Sequence, residues 1–166
     1  MKALHADEIV ARLVARGVTH VVGLPDNGSR VLFARLNDED RIDVVGVTRE
    51  GEAFAIAAGL FAGGQYPLVL VQNTGLLESG DAFRGTLFNM AFPVLMLIGY
   101  RGYETRDREP GRVDTAASFL EPTLKAWEIP FWLIEGDDDL HRFDEAQAWA
   151  TKHRRAVALV YPGETI

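Results

Sequence analysis

The sequence predicts an α/β protein, a three-layer αβα sandwich on a six-stranded, mostly parallel sheet. Three observations predict it. Six β-prone runs alternate with helical runs along the 166 residues, the order expected of βαβ units. No two consecutive runs are joined by a hairpin turn, so the connections must cross over, and such crossovers are right-handed. Two runs, Leu68-Val69-Leu70-Val71 and Val94 to Ile98, are continuously apolar, as strands covered on both faces must be. The length suits one domain spanning 1–166, and no internal repeat, low-complexity segment or linker divides it.

The first helix is expected over Asp7 to Arg16: Ile9, Val10, Leu13 and Val14 form one apolar stripe, Asp7 and Glu8 sit in the first turn, and Gly17 ends it. Val18 to Leu24 is the first strand. The tight loop Pro25-Asp26-Asn27-Gly28-Ser29 follows, with Asp26, Asn27 or Ser29 able to cap a helix over Ser29 to Leu36. The solvated turn Asn37 to Asp40 leads to an apolar run, Ile42 to Val47, that reads as a buried second strand. The chain turns helical at Glu50, where Ala53, Ile56, Ala57 and Leu60 recur at helical spacing until Gly63-Gly64 closes the helix after Ala62. The third strand, Tyr66 to Gln72, ends in the small polar stretch Gln72-Asn73-Thr74-Gly75. A helix over Gly80 to Met90, weakened by Gly85, precedes the strand Val94 to Ile98, which runs into Gly99-Tyr100-Arg101-Gly102. The charge-rich segment from Tyr103 to Val113 reads as a mobile loop. A helix from Ala116 to Trp127 interrupted near Pro122, a strand over Phe131 to Ile134, a helix from Leu140 to His153 capped by Asp137-Asp138-Asp139, and a last strand from Ala156 to Tyr161 complete the pattern.

Composition narrows the function classes. A net charge of −7 without a basic run argues against a nucleic-acid binder or a membrane-surface protein. The absence of cysteine excludes a disulfide framework, a thiol nucleophile and a thiolate metal site. No apolar segment reaches the ~20 residues of a membrane span, and Met1-Lys2-Ala3-Leu4-His5 opens no signal peptide, so a cytoplasmic protein is expected. Neither a phosphate-cradling Gly-x-x-x-x-Gly-Lys loop nor a Gly-x-Gly-x-x-Gly fingerprint is present. Asn27-Gly28-Ser29 lacks the flanking glycines of a nucleophile elbow. The histidines His5, His20, His141 and His153 show no ligand spacing. Gly136-Asp137-Asp138, between a strand and a helix, reads as a helix cap rather than a metal site.

The positive signal is a convergence. Pro25 to Ser29, Glu50, Gln72 to Gly75 and Gly99 to Gly102 all fall at the carboxyl ends of predicted parallel strands, where open α/β sheets hold their ligands. Glu50 stands where a strand ends and a helix begins. A carboxylate there can complement the helix dipole, worth about 0.3–1 kcal/mol, or offer an acidic oxygen to a ligand.

Four stretches stand in order: Gly23-Leu24-Pro25-Asp26; Arg49-Glu50-Gly51-Glu52-Ala53 with Ala57-Ala58-Gly59; Val71-Gln72-Asn73-Thr74-Gly75; and Pro93-Val94-Leu95-Met96-Leu97-Ile98-Gly99-Tyr100-Arg101-Gly102. In this order and spacing they resemble the pyrimidine-binding domain of thiamine-diphosphate-dependent 2-oxo acid decarboxylases, within that family the sulfopyruvate and phosphonopyruvate decarboxylase group. The resemblance runs from about Leu4 to the strand Arg155 to Leu159. It implies a six-stranded parallel sheet between helical layers. It also implies a catalytic role for Glu50: the matching glutamate hydrogen-bonds N1′ of the cofactor aminopyrimidine, favouring the 4′-imino tautomer whose nitrogen removes the thiazolium C2 proton. A carboxyl in a water-poor crevice can share a proton in this way, whereas Glu52, two residues on, projects elsewhere.

The same resemblance places Pro25, Asn73 and Thr74 with Glu50 beside the cofactor, and Asp26, Asn27, Arg30, Asn73 and Arg101 around the substrate. In a chain of net negative charge, Arg30 and Arg101 would supply the local field for a dianionic 2-oxo acid, with Asn73 as a donor and Asp26 as a proton relay. The family's Gly-Asp-Gly…Asn site for Mg²⁺, an all-oxygen site suited to that cation, has no counterpart, because Gly136-Asp137-Asp138 lacks the second glycine. No metal-ligating residue is therefore expected here. The diphosphate and Mg²⁺ are expected on a partner chain, as in the two-chain sulfopyruvate decarboxylase type, with this chain pairing as a homodimer within a hetero-oligomer. The loop Asp107-Arg108-Glu109-Pro110-Gly111-Arg112 departs from the Asp-Glu-Pro-Gln-His of the group, and Asn27-Gly28-Ser29-Arg30 departs as well, which leaves the substrate open. The alternatives are a carboligase subunit with the same cofactor and a non-catalytic interaction module that keeps the fold.

Overall fold

The computed structural model describes residues 2–105 and 114–166. Its strands are β1 (His20–Gly23), β2 (Asp43–Gly46), β3 (Pro67–Gln72), β4 (Leu95–Tyr100), β5 (Phe131–Leu133) and β6 (Val157–Pro162). Its α-helices are α1 (Ala6–Ala15), α2 (Arg30–Asn37), α3 (Glu50–Ala62), α4 (Asn73–Glu78), α5 (Gly80–Phe83), α6 (Thr115–Ala126) and α7 (Arg142–His153). The six strands form one sheet in the order β2-β1-β3-β4-β6-β5, and every pairing is parallel.

Alternation along the central strands divides the core into two layers, as the period of two requires. Leu68, Leu70, Leu95, Leu97, Leu159 and Tyr161 face α1, α2 and α7, packing with Ile9, Leu13, Leu32, Leu36 and Phe143. Val69, Val71, Met96, Ile98 and Val160 face α3 through α6, packing with Phe54, Ala57, Leu76, Phe83, Leu120 and Leu124. This is the three-layer αβα sandwich. The direction in which successive strands are laid down across the sheet reverses twice, with the switch points between β1 and β3 and between β4 and β6. Such reversals open crevices at the carboxyl edge because successive connections leave on opposite faces.

Four local expectations are corrected. The run Ile42 to Val47, read as a buried strand, supplies β2 at the edge of the sheet, where Asp43 to Gly46 are exposed or half-buried. Helix begins at once after β3: Gln72 is the N-cap of α4, and Ser79, whose Oγ donates to the Gly75 carbonyl at 2.6 Å, ends it before α5 and a π-helical turn over Arg84–Phe88. The stretch Asn73-Thr74-Gly75 is therefore helical, where the sequence reading began the next helix only at Gly80, and it is held by burial of Leu76. The helix α6 runs unbroken through Pro122, which lies with Ser118 on the exposed side, where the carbonyl left free by the missing N–H is open to solvent. The three aspartates do not cap α7. They form a 3₁₀ turn, Asp137–Asp139, one turn too early, and α7 starts from His141 without a side-chain cap. Of the loop expected over Tyr103 to Val113, Tyr103–Thr105 is a 3₁₀ turn and residues 106–113 lie outside the described residues.

Candidate active site

A cleft of about 520 Å³ opens over the carboxyl ends of β1, β3, β4 and β6, the central strands that flank both reversals. Its walls are Asp26 to Gly28 after β1, Gln72 at the end of β3, Gly99 to Thr105 at the end of β4, and Gly163-Glu164 after β6. Three of the four predicted stretches thus meet in one cavity. The fourth, Glu50, does not line this cavity; it begins α3 and lies against Gly75 of α4.

The loop after β1 is built around Asp26. Its Oδ1 accepts from the N–H groups of Gly28 at 2.6 Å and Ser29 at 3.2 Å, and its Oδ2 accepts from the Ser29 hydroxyl at 2.9 Å. Fully buried Ser29 anchors the loop from below, leaving Pro25, Asn27 and Arg30 exposed. Asp26 and Asn27 reach the cleft wall; Pro25 and Arg30 do not.

At the end of β3, Asn73 is fully buried. Its Nδ2 donates to the Arg101 carbonyl at 2.9 Å and its Oδ1 accepts from the Thr74 N–H, so Asn73 ties the start of α4 to the turn after β4. The Thr74 hydroxyl donates to Gln72 Oε1 at 2.9 Å, fixing the side chain that lines the cleft. Arg101 is paired with Asp114 at 2.8 Å and its side chain is 59% exposed. Gly102 makes the turn possible: its φ is +81°, and a Cβ there would lie 2.7 Å from that of Asp114.

Three carboxylates crowd the first turn of α3, and they are used differently. Glu52 Oε2 accepts from the backbone N–H of Thr48 and Arg49 at 3.2 and 3.3 Å, satisfying orphan donors at the helix start. Glu78, reaching over from α4, accepts from Arg49 Nε and from the Gly51 N–H at 3.1 Å. The Arg49 guanidinium, helped by that N–H, holds the Glu78 carboxyl below the usual carboxylate range. For Glu50 itself, no hydrogen bond or ion pair to the carboxylate occurs among the described residues. It rests instead on Gly75: a Cβ at Gly75 would lie 2.8 Å from Glu50 Oε1 and 2.9 Å from its Cδ. Glu50 also follows β2, whose link to β3 carries the chain past β1 to the first reversal. The space that a side chain at Gly75 would take is thus filled by the Glu50 side chain, whose carboxylate is left without a polar partner among the described residues.

Some of the site escaped the sequence reading. Gly163-Glu164 line the cleft. Pro162-Gly163, a turn signal directly after a strand, marks this corner by the same logic that marked the four predicted stretches. Glu104 and Thr105 also line it. Among the described lining residues, Arg101 is the one cation and Asp26, Glu104 and Glu164 are the carboxylates. Below the floor, Tyr161 is fully buried, with its hydroxyl near the Ser29 side chain but without a well-formed hydrogen bond among the described residues. Burial, reinforced by the nearby Asp26 charge, pushes this phenol well above its ordinary range.

Comparison with known proteins agrees with this architecture. The chain is 26% identical over 140 residues to the sulfopyruvate decarboxylase subunit alpha of Methanococcus maripaludis, covering 84% of this chain and 83% of that subunit. It is 32% identical over 154 residues to the phosphonopyruvate decarboxylase of Streptomyces viridochromogenes, covering 90% of this chain but only 38% of that enzyme. The benzoylformate decarboxylase structure from Polynucleobacter necessarius superposes on 98% of this chain and 30% of its own length, with a TM-score of 0.77 at 20% identity; that likeness shows the fold. Residues 5–118, more than half of the chain, match the family described as thiamine pyrophosphate enzyme, N-terminal TPP binding domain. The chain therefore belongs to the family of N-terminal TPP-binding domains of thiamine pyrophosphate enzymes.

Proposed function

We propose that this chain is the pyrimidine-side subunit of a two-chain thiamine-diphosphate-dependent decarboxylase of a small anionic 2-oxo acid. The observation that carries the reading is the Glu50 carboxylate. It has no partner among the described residues, while Glu52 and Glu78 satisfy the backbone at the start of α3. Helix capping therefore does not account for Glu50. Thiamine diphosphate, when bound, supplies the carbon nucleophile and the electron sink that decarboxylation of a 2-oxo acid needs.

The chain's residues bind, orient and move protons. Glu50 shares a proton between its carboxyl and the ring N1′, an acid–base contact worth about 10²–10⁴-fold in rate. Pro25 and Thr74, in the two segments at the β1/β3 reversal, are assigned to the pyrimidine side; Asn73, expected to touch both cofactor and substrate, is fully buried with both amide atoms engaged and is assigned instead as the residue that positions these segments. Asp26, clamped at the cleft wall, is assigned as a proton relay, with Asn27 beside it. Arg101 can exchange Asp114 for a substrate carboxylate, and Arg30, exposed at the start of α2, adds to the field. The anionic 2-oxo acid is supported by the names of the relatives, a sulfopyruvate and a phosphonopyruvate decarboxylase.

Mg²⁺ and the diphosphate are assigned to a companion subunit, which the designation alpha in the relatives supports. The acids of this chain nearest to a metal motif are otherwise engaged: Asp137 with His5, Asp138 with Lys2, and Asp139 with the Glu135 N–H and Arg142. The helix that begins at Glu50 keeps Ala55, Ile56 and Gly59 exposed, an apolar face continuous with the site and suited to a hetero-oligomer. No helix among the described residues is long and apolar enough to cross a membrane, and the acidic, cysteine-free composition fits the cytoplasm.

The test is C2 proton exchange of thiamine diphosphate in the assembled complex, followed by NMR. Glu50→Gln keeps the shape and removes the acid, and exchange is expected to fall at least ~100-fold. Equal exchange in wild type and variant would return Glu50 to the role of a helix-dipole partner.

A further inference from the structure

We infer that Gly75 and Glu78 of α4 are positioning residues for Glu50, with α4 a platform that presents its carboxylate. This rests on the functional reading of Glu50 given above. Gly75 sits third in a six-residue helix, where alanine is the better helix former. Its φ is not positive, so alanine could adopt the backbone. The nearest three atoms that a Cβ would meet all belong to Glu50: Oε1 at 2.8 Å, Cδ at 2.9 Å and, closer still, Cγ. The Glu50 side chain is therefore the first obstacle to any side chain at this position. A methyl there must drive the carboxylate from its present place.

Glu78, one turn further along α4, holds the residues on either side of Glu50. It accepts from Arg49 Nε and from the Gly51 N–H at 3.1 Å, and its own position is supported by the Ser79 hydroxyl at 3.3 Å. Gly75 clears the space and Glu78 fixes the backbone, so one short helix sets where the acid stands. Neither group needs to touch a ligand to do this.

Two measurements test the inference, and the first needs no ligand. Thermal stability is compared for wild type, Gly75→Ala, Glu50→Ala and the double variant. With Glu50 present, Gly75→Ala is expected to lower Tm by at least ~4 °C, more than one kcal/mol shifts a domain of this size; with Glu50 truncated, it should leave Tm unchanged or raise it. In the same samples labelled with ¹³C at glutamate Cδ, the Glu50 signal, assigned by its loss in Glu50→Ala, should move in Gly75→Ala and in Glu78→Gln. The second measurement uses the assembled complex. C2 exchange should fall ~100-fold in Gly75→Ala, the cost of about an ångström of misplacement, and ~10-fold in Glu78→Gln, with the KM for substrate within twofold of wild type. An equal Tm change for Gly75→Ala with and without the Glu50 side chain, or an unmoved Glu50 signal, overturns the proposal. The functional reading fails separately, through a wild-type exchange rate in Glu50→Gln.

Discussion

Two acidic corners of this molecule look alike in sequence and differ in structure. One is the start of α3, where Glu50 and Glu52 are joined by Glu78; the other is the turn Asp137–Asp139 ahead of α7. Both follow a strand and precede a helix. At the second corner every carboxylate is engaged: Asp137 by His5, Asp138 by Lys2 at 2.7 Å, Asp139 by the Glu135 N–H at 2.9 Å. At the first, two are engaged and Glu50 is not. Acidic residues at a helix start are common because they satisfy local donors and the dipole. The informative carboxylate is the one the local structure does not use. A carboxylate without a structural partner is available to a ligand, and its removal should cost function rather than stability.

The largest expected effect follows directly. Glu50→Gln should lower C2 exchange in the complex at least ~100-fold with Tm unchanged within about 2 °C, whereas Asp139→Asn should leave exchange within twofold and lower Tm. A variant pair that behaved the other way round would break the comparison.

A second, smaller effect is expected at the end of β4, where Arg101 is engaged yet exposed. Its ion pair with Asp114 is 2.8 Å long but solvent-accessible, and exposed pairs contribute little stability, about 0–1 kcal/mol. Arg101→Ala is expected to raise the KM for a dianionic 2-oxo acid about tenfold, ~1.4 kcal/mol, with little change in Tm. Steady-state kinetics over a substrate series checks this. If Arg101→Ala and Arg30→Ala both left every KM unchanged, the anionic-substrate assignment would fall.

Within the first corner the contrast can be drawn between residues two apart. Glu52 accepts from Thr48 and Arg49 N–H groups, so Glu52→Ala removes a cap worth about 1 kcal/mol. The expected loss is ~2–4 °C in Tm, read by calorimetry, with C2 exchange close to wild type. Rate and stability would then separate cleanly between Glu50 and Glu52.

Much of this was legible in the sequence. The buried strands announce themselves as apolar runs, and Glu50 stands out because an apolar run gives way there to helical spacing. Its chemical role came from the resemblance of the ordered motifs rather than from periodicity. The strand order did not come from the local pattern, since pairing β3 beside β1, and β6 between β4 and β5, joins residues far apart in sequence. The helix α4 was missed because Asn73-Thr74-Gly75 are poor helix formers; tertiary contacts hold it, through buried Leu76 and the bond from Asn73 to the Arg101 carbonyl. The contact between Gly75 and Glu50 spans two elements and leaves no periodic trace. Pro122 argued for a break that solvent exposure made unnecessary. Pro162-Gly163 was readable as the fourth corner of the cleft.

The smallest expected effect lies at the engaged corner and concerns pH. The Asp137 carboxyl is held below the ordinary aspartate range, chiefly by the His5 backbone N–H and then by the His5 ring, against the opposing cost of partial burial. A carboxyl whose value is depressed in the folded state binds its proton more readily in the unfolded chain. Its contribution is therefore complete above the unfolded value, near 3.9, and is lost as pH falls through the folded value. The side chain is 35% exposed, so solvent screening keeps the contribution below about 1 kcal/mol. Asp137→Asn should accordingly lower Tm by no more than ~4 °C at neutral pH, and the difference from wild type should shrink below pH 4. The C2 exchange rate should match that of wild type throughout. Tm recorded between pH 7 and pH 3 for the two forms decides it. A difference that grew on acidification would mean that the Asp137 contacts are not those of an ionised carboxylate, and the contrast between an engaged and an available acid would lose its second member.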